Sequence, residues 1–278
     1  MRDSSRHSVW NIFLITIFFS CFQSAAGNAA APKLKLIQYK TSDGTRLSAY
    51  IMRPRSRSRK PAIIALHGCS GLTRNKHTLL SRHKDWGERF VKWGYVVIFP
   101  DSHGSRNISS VCTTRRRSIS QSDRVKDALG AYNWLKRQPF VNSKKIMILG
   151  WSEGAMTALR VAYSKKGKRF RQAFAFYPDC KRLLKNTKGK QNIPLTILIG
   201  SRDDWTSPKH CQKLVWERGG HIIIYNRAFH GFDIPNAKLR TRLWLAYTAA
   251  DFGVARVGTN KKAREQSIRD IKRLLNLK

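Results

Sequence analysis

Five short apolar runs, separated by stretches with helical periodicity, constrain the fold of this chain more than any other feature. Each run is apolar at successive positions, which is typical of strands buried on both faces of a parallel sheet. The segments between them repeat apolar residues three and four positions apart, as amphipathic helices do. This alternation predicts one α/β domain with a largely parallel sheet. The runs are 62–66, 95–99, 146–149, 195–199 and 222–225.

A hairpin precedes these runs, because apolar stretches at 36–39 and 47–52 flank the turn-forming pair Asp43-Gly44. Helices are predicted around 86–93, 125–135, 155–162, 211–215 and 268–275. Ser120 or Ser122 is the candidate N-cap of the second helix. Gly94 follows the first helix and is its candidate C-cap. The pattern is weakest over residues 233–262.

The N-terminus resembles a secretory signal peptide. Arg2 and Arg6 precede an apolar stretch at 9–22 that is short for a membrane span, and small residues follow at 24–26. We therefore expect residues 1–26 to be a signal peptide, residues 33–278 to form the domain, and the protein to be exported, either periplasmic or secreted. The alternative is an N-terminal anchor that is not cleaved.

Four cysteines remain once Cys21 leaves with the signal peptide. An even number in an exported chain permits two disulfides with three pairings, and four buried thiols are the alternative. No spacing of Cys and His is typical of a zinc site, so no metal is expected. The four are Cys69, Cys112, Cys180 and Cys211.

The chain is strongly basic, with 54 Lys and Arg against 16 Asp and Glu and a formal net charge of +38. Such a field attracts anions, including lipid headgroups, acidic polymers and acidic substrates. The basic residues lie in short runs along the whole chain, however, so a generally cationic surface is the alternative to a dedicated partner. With an export signal we expect no nucleic-acid partner, and we expect weak association with an anionic membrane surface.

The segment Gly150-Trp151-Ser152-Glu153-Gly154 fits the motif G-x-S-x-G, between a buried run and an Ala-rich stretch. In a nucleophile elbow, the glycines permit a sharp strand-to-helix turn that exposes the serine hydroxyl in a strained conformation. Ser152 is therefore a candidate nucleophile. The alternative is an ordinary serine at a helix N-cap.

A serine nucleophile needs a base and a group that orients the base. Asp203 follows the run 195–199 and His230 follows the run 222–225, which gives the chain order Ser, Asp, His of this fold. Both residues are expected at the carboxyl edge of the sheet, where open α/β sheets bind ligands. Asp203 is preferred to its neighbour Asp204 as the orienting carboxylate.

The reaction also needs hydrogen-bond donors for a developing oxyanion. The backbone N–H of Glu153 is one candidate because Glu153 follows the nucleophile. The loop 66–72 (LHGCSGL) follows a predicted strand, and the backbone N–H of Cys69 is the second candidate. The alternative for this loop is a Gly-rich strand-to-helix turn.

Taken together, the segments LHGCSGL, FPDSHGSR, ILGWSEGA, FYPDC, LIGSRDDWTSP, AFHGFD and VGTNKKAREQSI resemble the dienelactone hydrolase family over most of residues 36–275. The resemblance implies an α/β-hydrolase fold, with a mostly parallel eight-stranded sheet and helices on both faces. It further implies no metal, no organic cofactor, and cleavage of a small ester or lactone through an acyl-enzyme.

Two departures from dienelactone hydrolase itself stand out. That enzyme uses a cysteine nucleophile and holds a carboxylate substrate with arginines, whereas this chain has Ser152. Arg106 in DSHGSR matches one such arginine and is the candidate contact for an anionic substrate group, while GFDIPN after His230 contains none. The alternative for Arg106 is a structural salt bridge or a plain surface cation. The chain is therefore more similar to exported serine-type members of the family.

The sheet order of the family implies the disulfide pairs Cys180–Cys211 and Cys69–Cys112. The resulting interpretation is an exported serine ester hydrolase whose oligomeric state the sequence does not predict. Two alternatives are an oligopeptidase-like peptidase and a catalytically idle α/β-hydrolase that binds an anionic envelope component.

Overall fold

The computed structural model describes residues 32–75, 78–186 and 189–277. The expected signal peptide at residues 1–26 lies outside these residues. Within them, no helix is long and apolar enough to cross a membrane.

The main sheet has eight strands in the order β1-β2-β4-β3-β5-β6-β7-β8. The first two pairings are antiparallel and all the others are parallel. This confirms the mostly parallel sheet and the N-terminal hairpin. The strands are β1 Lys35–Lys40, β2 Arg46–Met52, β3 Lys60–Leu66, β4 Val96–Pro100, β5 Val141–Trp151, β6 Ala173–Phe176, β7 Leu195–Gly200 and β8 His221–Tyr225.

All five predicted apolar runs are strands, and the central ones are buried at successive positions. Burial at successive positions means burial on both faces, so helices must cover the sheet on both sides. The sequence analysis did not identify β6. This strand is a four-residue AFAF segment that lacks β-branched residues, so it gives little strand signal of its own.

Five of the helices fall where the periodicity predicts them, and α4 was not predicted. Ser120, rather than Ser122, caps α2 in a capping box with Asp123. Helix α6 is joined to α1 by an ion pair between Arg264 and Asp85 at 2.7 Å. The helices are α1 Ser81–Lys92, α2 Gln121–Lys136, α3 Glu153–Ala162, α4 Cys180–Asn186, α5 Pro208–Arg218 and α6 Lys261–Leu274.

Residues 233–262, where the sequence pattern was weakest, contain a second small sheet. Strands β9 Arg240–Arg242 and β10 Ala255–Val257 form an antiparallel hairpin. A parallel bridge between Val257 and His230 ties it to the loop that follows β8. The hairpin therefore lies beside the loop that carries His230.

The structure contains both disulfides that the family resemblance implied. Cys69–Cys112 joins the loop after β3 to the segment before α2, and Cys180–Cys211 joins α4 to α5. The first disulfide lies in a small buried cluster with Val111, Leu245 and Ala255. It thus connects the candidate oxyanion loop to the base of the β9–β10 hairpin.

Candidate active site

Ser152 lies at the turn between β5 and α3 with a left-handed backbone, φ 53° and ψ −112°. The turn depends on its two glycines. A Cβ on Gly150 would lie 2.1 Å from the carbonyl oxygen of Gly154, and one on Gly154 would lie 2.2 Å from that of Leu66. The Ser152 side chain makes no capping hydrogen bond with the helix. The geometry is therefore that of a strained nucleophile elbow rather than of an ordinary serine cap.

Asp203 and His230 are in direct contact, with Asp203 Oδ2 2.9 Å from His230 Nδ1. The other carboxylate oxygen of Asp203 accepts the backbone N–H groups of Trp205 and Thr206 at 3.0 and 2.8 Å. Both side chains are buried. A carboxylate fixed in this way can orient the imidazole and stabilise its protonated form.

Asp204 lies in a different environment. Its carboxylate accepts the backbone N–H and the Nε of Arg256, both at 2.9 Å. The neighbouring carboxylates therefore have separate partners, and it is Asp203 that contacts the histidine.

The imidazole of His230 is held between two aromatic rings. Its centroid lies 4.4 Å from that of Tyr177 and 4.7 Å from that of Trp205. Thr206 Oγ1 lies 3.3 Å from His230 Nδ1 and donates to Asp203 Oδ2 at 3.1 Å. Among the described residues no hydrogen bond joins Ser152 Oγ to His230. In enzymes without substrate such a contact is often long.

The two predicted oxyanion donors lie in the same pocket as Ser152, since Cys69 and Glu153 both line it. Neither backbone N–H donates a hydrogen bond to any other described residue. The loop before Cys69 packs closely on the elbow, because a Cβ on Gly68 would lie 3.4 Å from Ser152 Cβ. Two free amides beside a serine hydroxyl can bind the oxygen of a tetrahedral intermediate.

The side chain of Glu153 is buried in a cluster of cationic groups. Its carboxylate accepts from Arg117 Nη1, and from Arg124 Nη1 at 2.9 Å. His103 Nε2 lies 3.5 Å from Glu153 Oε2. Burial alone would raise the pKa of this carboxyl, but Arg124, His103 and Arg117 outweigh it and lower the pKa to about 2.

Arg124 connects the two segments that carry the candidate oxyanion amides. Its guanidinium is buried, with Nη1 on Glu153 and Nη2 donating to the carbonyl oxygen of His67 at 2.6 Å. It thus fixes the start of α3 relative to the loop that leads to Cys69. The sequence motif predicted a role only for the backbone of Glu153, and no local pattern pointed to Arg124.

A second buried carboxylate, Asp233, lies behind the candidate triad. It accepts the indole N–H groups of Trp86 and Trp151 at 2.9 and 2.8 Å and the hydroxyl of Tyr177 at 2.5 Å. Trp151 precedes Ser152, and Tyr177 contacts the ring of His230. Asp233 therefore supports residues on both sides of the site, a role that the sequence segment GFDIPN did not reveal.

Arg106, the candidate contact for a substrate anion, lies elsewhere. Its guanidinium forms a bidentate ion pair with Asp127, with N···O distances of 2.9 and 2.8 Å, and also donates to the carbonyl oxygen of Ser102. It does not line the pocket that contains Ser152. These contacts correspond to a structural ion pair and not to a substrate contact.

Two other arginines, Arg117 and Arg182, do line this pocket. Both lie over the ring of Tyr247, with guanidinium carbons 5.2 and 4.2 Å from its centroid. Tyr247 belongs to the segment that the sequence left unassigned, so only the tertiary fold reveals this group. The lining residues are Cys69, Arg117, Ser152, Glu153, Met156, Asp179, Arg182, Trp205, Thr206 and Tyr247.

Within the part of the chain that the structure describes, no group of three or more His, Cys, Asp or Glu side chains could hold a metal ion.

Comparison with known proteins points to one family. The family model described as "Dienelactone hydrolase family" matches residues 47–277. No curated protein matches the chain.

Solved structures share the fold at low sequence identity. A candidate dienelactone hydrolase from Klebsiella pneumoniae subsp. pneumoniae MGH 78578 has a TM-score of 0.63 and 14% identity, over 86% of this chain and 97% of its own. The dienelactone hydrolase-like promiscuous phosphotriesterase P91 from metagenomic libraries has a TM-score of 0.63 and 16% identity, over 88% and 98%. A candidate dipeptidyl aminopeptidase IV from Bacteroides ovatus ATCC 8483 has a TM-score of 0.63 and 19% identity, over 87% of this chain but only 35% of its own.

Proposed function

Since the chain belongs to the dienelactone hydrolase family and is a hydrolase, we propose that it is a serine hydrolase that cleaves carboxylic ester or lactone bonds through an acyl-enzyme. The observation that carries the proposal is the contact of Asp203 with His230 at 2.9 Å, together with the strained backbone of Ser152 at φ 53°. Trp205 and Thr206 contact His230 and line the pocket that contains Ser152. Ser152, Asp203 and His230 follow the carboxyl ends of β5, β7 and β8, in the required chain order.

In the proposed mechanism, His230 Nε2 takes the proton of Ser152 Oγ as the oxygen attacks the acyl carbon. Asp203 accepts the Nδ1–H of His230 and stabilises the imidazolium that forms. The backbone N–H groups of Cys69 and Glu153 hold the oxyanion, and the positive end of α3 favours the developing charge.

The tetrahedral intermediate then collapses, and the bond from the acyl carbon to the alcohol oxygen breaks. His230 returns the proton to the departing alcohol, which leaves the acyl group on Ser152. Water, deprotonated by His230, attacks the acyl group, and the acid product and free Ser152 are released. The substrate we propose is a small ester or lactone, and Arg182 at the pocket favours one that carries an anionic group.

Labelling with a fluorophosphonate probe tests the nucleophile directly, because the probe reacts with activated serines. We expect the wild-type protein to be labelled and Ser152→Ala to remain unlabelled, with both proteins giving the same circular dichroism spectrum. Absence of labelling in folded wild-type protein would refute the proposal. Rates on matched ester and anilide substrates of the same acyl group then distinguish an esterase from a peptidase.

The choice of carboxylate is tested by paired variants of the two adjacent aspartates. We expect Asp203→Asn to lower kcat by about a thousandfold or more, because His230 loses the partner that fixes its tautomer. Asp204→Asn removes a half-exposed ion pair with Arg256 and should change kcat by less than about threefold. Steady-state kinetics on one ester substrate measure both, and equal effects would show that the assignment is wrong.

We also propose that the protein is exported and that residues 1–26 are removed as a signal peptide. Its two disulfides are typical of proteins that work in an oxidising compartment. N-terminal sequencing of the protein recovered from the periplasm or culture medium tests this proposal, and an intact Met1 would contradict it.

A further inference from the structure

Four large apolar side chains are exposed together at the end of the β9–β10 hairpin. Trp244 is 83% exposed and Phe252 is 85% exposed, and Leu243 and Val254 beside them are also exposed. We refer to these four residues as the hairpin tip. Exposed apolar groups that cluster in this way, unlike single ones, mark surfaces that bind a partner or a membrane.

The backbone register brings the four residues of the tip to one place. Arg242 pairs with Ala255 at the end of the β9–β10 ladder. Two residues further on, the backbone N–H of Leu245 donates to the carbonyl oxygen of Gly253 at 2.8 Å. Residues 243–244 therefore lie opposite residues 252–254, which brings the four exposed residues of the tip close together.

The tip is held in an exposed position by buried residues that adjoin it in the chain. Leu245 and Ala255, directly next to it, are buried with the Cys69–Cys112 disulfide. The backbone N–H of Ala246 donates to the carbonyl oxygen of Cys112 at 2.9 Å. Trp244 itself has a left-handed backbone, φ 59°, which is unfavourable for a bulky side chain and is held in place by these contacts.

The tip is surrounded by positive charge. Residues 237–258 contain one acidic side chain, Asp251, which is paired with Lys181 at 3.1 Å. The same segment contains four basic side chains, and the whole chain has a formal net charge of +38. The four are Lys238, Arg240, Arg242 and Arg256, of which Arg256 is paired with Asp204 at 2.9 Å.

This combination of apolar and basic side chains selects one kind of occupant. Two copies of a chain with a charge of +38 repel each other, so the charge opposes a dimer through this face. An acidic polymer would satisfy the arginines but offers no hydrocarbon for Leu243 and Val254. A bilayer that contains anionic lipids offers negative headgroups and hydrocarbon at adjacent depths.

We propose that the hairpin tip inserts into the boundary between headgroups and acyl chains of a membrane that contains anionic lipids. Trp244 is well suited to this depth because tryptophan is enriched at membrane interfaces. Tyr247, three residues after Trp244, lines the pocket that contains Ser152. A protein docked through the tip would therefore hold the pocket close to the membrane surface.

Vesicle binding tests the proposal without any substrate, so its outcome does not depend on the proposed catalytic function. Vesicles of phosphatidylcholine, with and without phosphatidylglycerol, are sedimented with the protein as recovered after export. We expect the double variant Trp244→Ala/Phe252→Ala to bind phosphatidylglycerol vesicles about tenfold more weakly than wild type. The difference should persist at about 0.5 M NaCl, where exposed charges are screened within a few ångströms.

Trp216→Ala is the matched control, because Trp216 on α5 is also 83% exposed and lies outside the tip. It should bind as wild type does. Phosphatidylcholine brominated in its acyl chains should quench part of the tryptophan fluorescence of bound protein, and this quenched part should fall in Trp244→Ala and persist in Trp216→Ala.

Three outcomes would overturn the proposal. Binding unchanged in the double variant would assign the attraction to net charge alone. Equal losses in the double variant and in Trp216→Ala would remove the special role of the tip. A wild-type dimer that the double variant converts to a monomer, measured by sedimentation velocity, would assign the tip to self-association.

Discussion

Glu153 places a buried carboxylate directly after the candidate nucleophile, where it acts on the structure in two ways. Its backbone N–H is a candidate oxyanion donor that makes no hydrogen bond to the described residues, while its side chain is fixed by Arg117 and Arg124. The sequence predicted the first role and not the second. The partners lie 36 and 29 residues away in the chain, so local pattern could not identify them.

The low pKa of Glu153 links this residue to the stability of the fold in acid. A carboxylate whose pKa is lowered on folding stabilises the protein at pH values above its unfolded pKa. That stability is lost as the pH falls toward the folded value. The ordinary pKa of this carboxyl is 4.5 and its pKa in the folded protein is about 2, so the stabilisation is lost between about pH 4.5 and about pH 2.

We therefore predict that Glu153→Gln destabilises the protein at neutral pH and reduces its sensitivity to acid. Removal of the carboxylate leaves Arg124 buried without its partner, which costs about 3–5 kcal/mol. Acid removes a similar contribution from wild type, about 3 kcal/mol, because Glu153 becomes protonated. The difference in the free energy of unfolding between the two proteins should thus narrow from about pH 7 to about pH 2. Urea titrations followed by circular dichroism measure it.

Glu88→Gln is the control for this experiment, because Glu88 is half-exposed and its carboxylate lies 4.0 Å from the ammonium of Lys84 on α1. Its unfolding curves should follow those of wild type at every pH. A Glu153→Gln protein that loses stability in acid as steeply as wild type would show that the carboxylate does not carry the proposed linkage.

At the scale of secondary structure, the sequence predicted the elements whose apolar residues recur at regular spacing. The five buried strands and the helices with regular apolar spacing are in place. Strand β6 and the β9–β10 hairpin were not predicted, because short strands are defined mainly by the partners with which they pair. The pocket group of Arg117, Arg182 and Tyr247 depends on that hairpin and so could not be placed either.

The Cys69–Cys112 disulfide joins three elements that the candidate site needs. It links the loop that carries the Cys69 amide, the segment before α2 and the base of the hairpin. The Cys180–Cys211 disulfide links α4 to α5. Asp203, by contrast, is held by its own hydrogen bonds to the backbone of Trp205 and Thr206.

We predict that the two disulfides differ in their effect on activity and not in their effect on stability. They close loops of 43 and 31 residues, so in the chain-entropy model each contributes about 4 kcal/mol. Cys69→Ser/Cys112→Ser should also lower kcat by about tenfold, because the proposed oxyanion donor, the backbone N–H of residue 69, loses its fixed position. Cys180→Ser/Cys211→Ser should retain most of kcat.

Thermal unfolding measures the loss of stability in each variant. Steady-state kinetics, at a temperature where both variants are fully folded, measure the loss of kcat separately. A matching loss of kcat in both variants would mean that the first disulfide has no special role at the pocket.

At the scale of the whole molecule, the charge of +38 surrounds a pocket that is itself lined by arginines. Long-range attraction of this kind raises the rate at which anionic substrates arrive and is screened by salt. The magnitude of the charge follows from the composition alone. Only the fold shows that Arg182 lines the pocket with Ser152, whereas Arg106 is engaged by Asp127 and Arg117 by Glu153.

We predict that salt discriminates between anionic and neutral substrates. Between about 0.01 M and about 1 M NaCl the screening length falls from about 30 Å to about 3 Å. The kcat/KM of an aryl ester with a free carboxylate should fall several-fold, and that of the acetate of the same alcohol should change little. Arg182→Gln should weaken the preference for the anionic ester, whereas Arg240→Gln, outside the pocket lining, should leave most of it. Equal salt dependence for both esters would show that the cationic field does not act on the substrate.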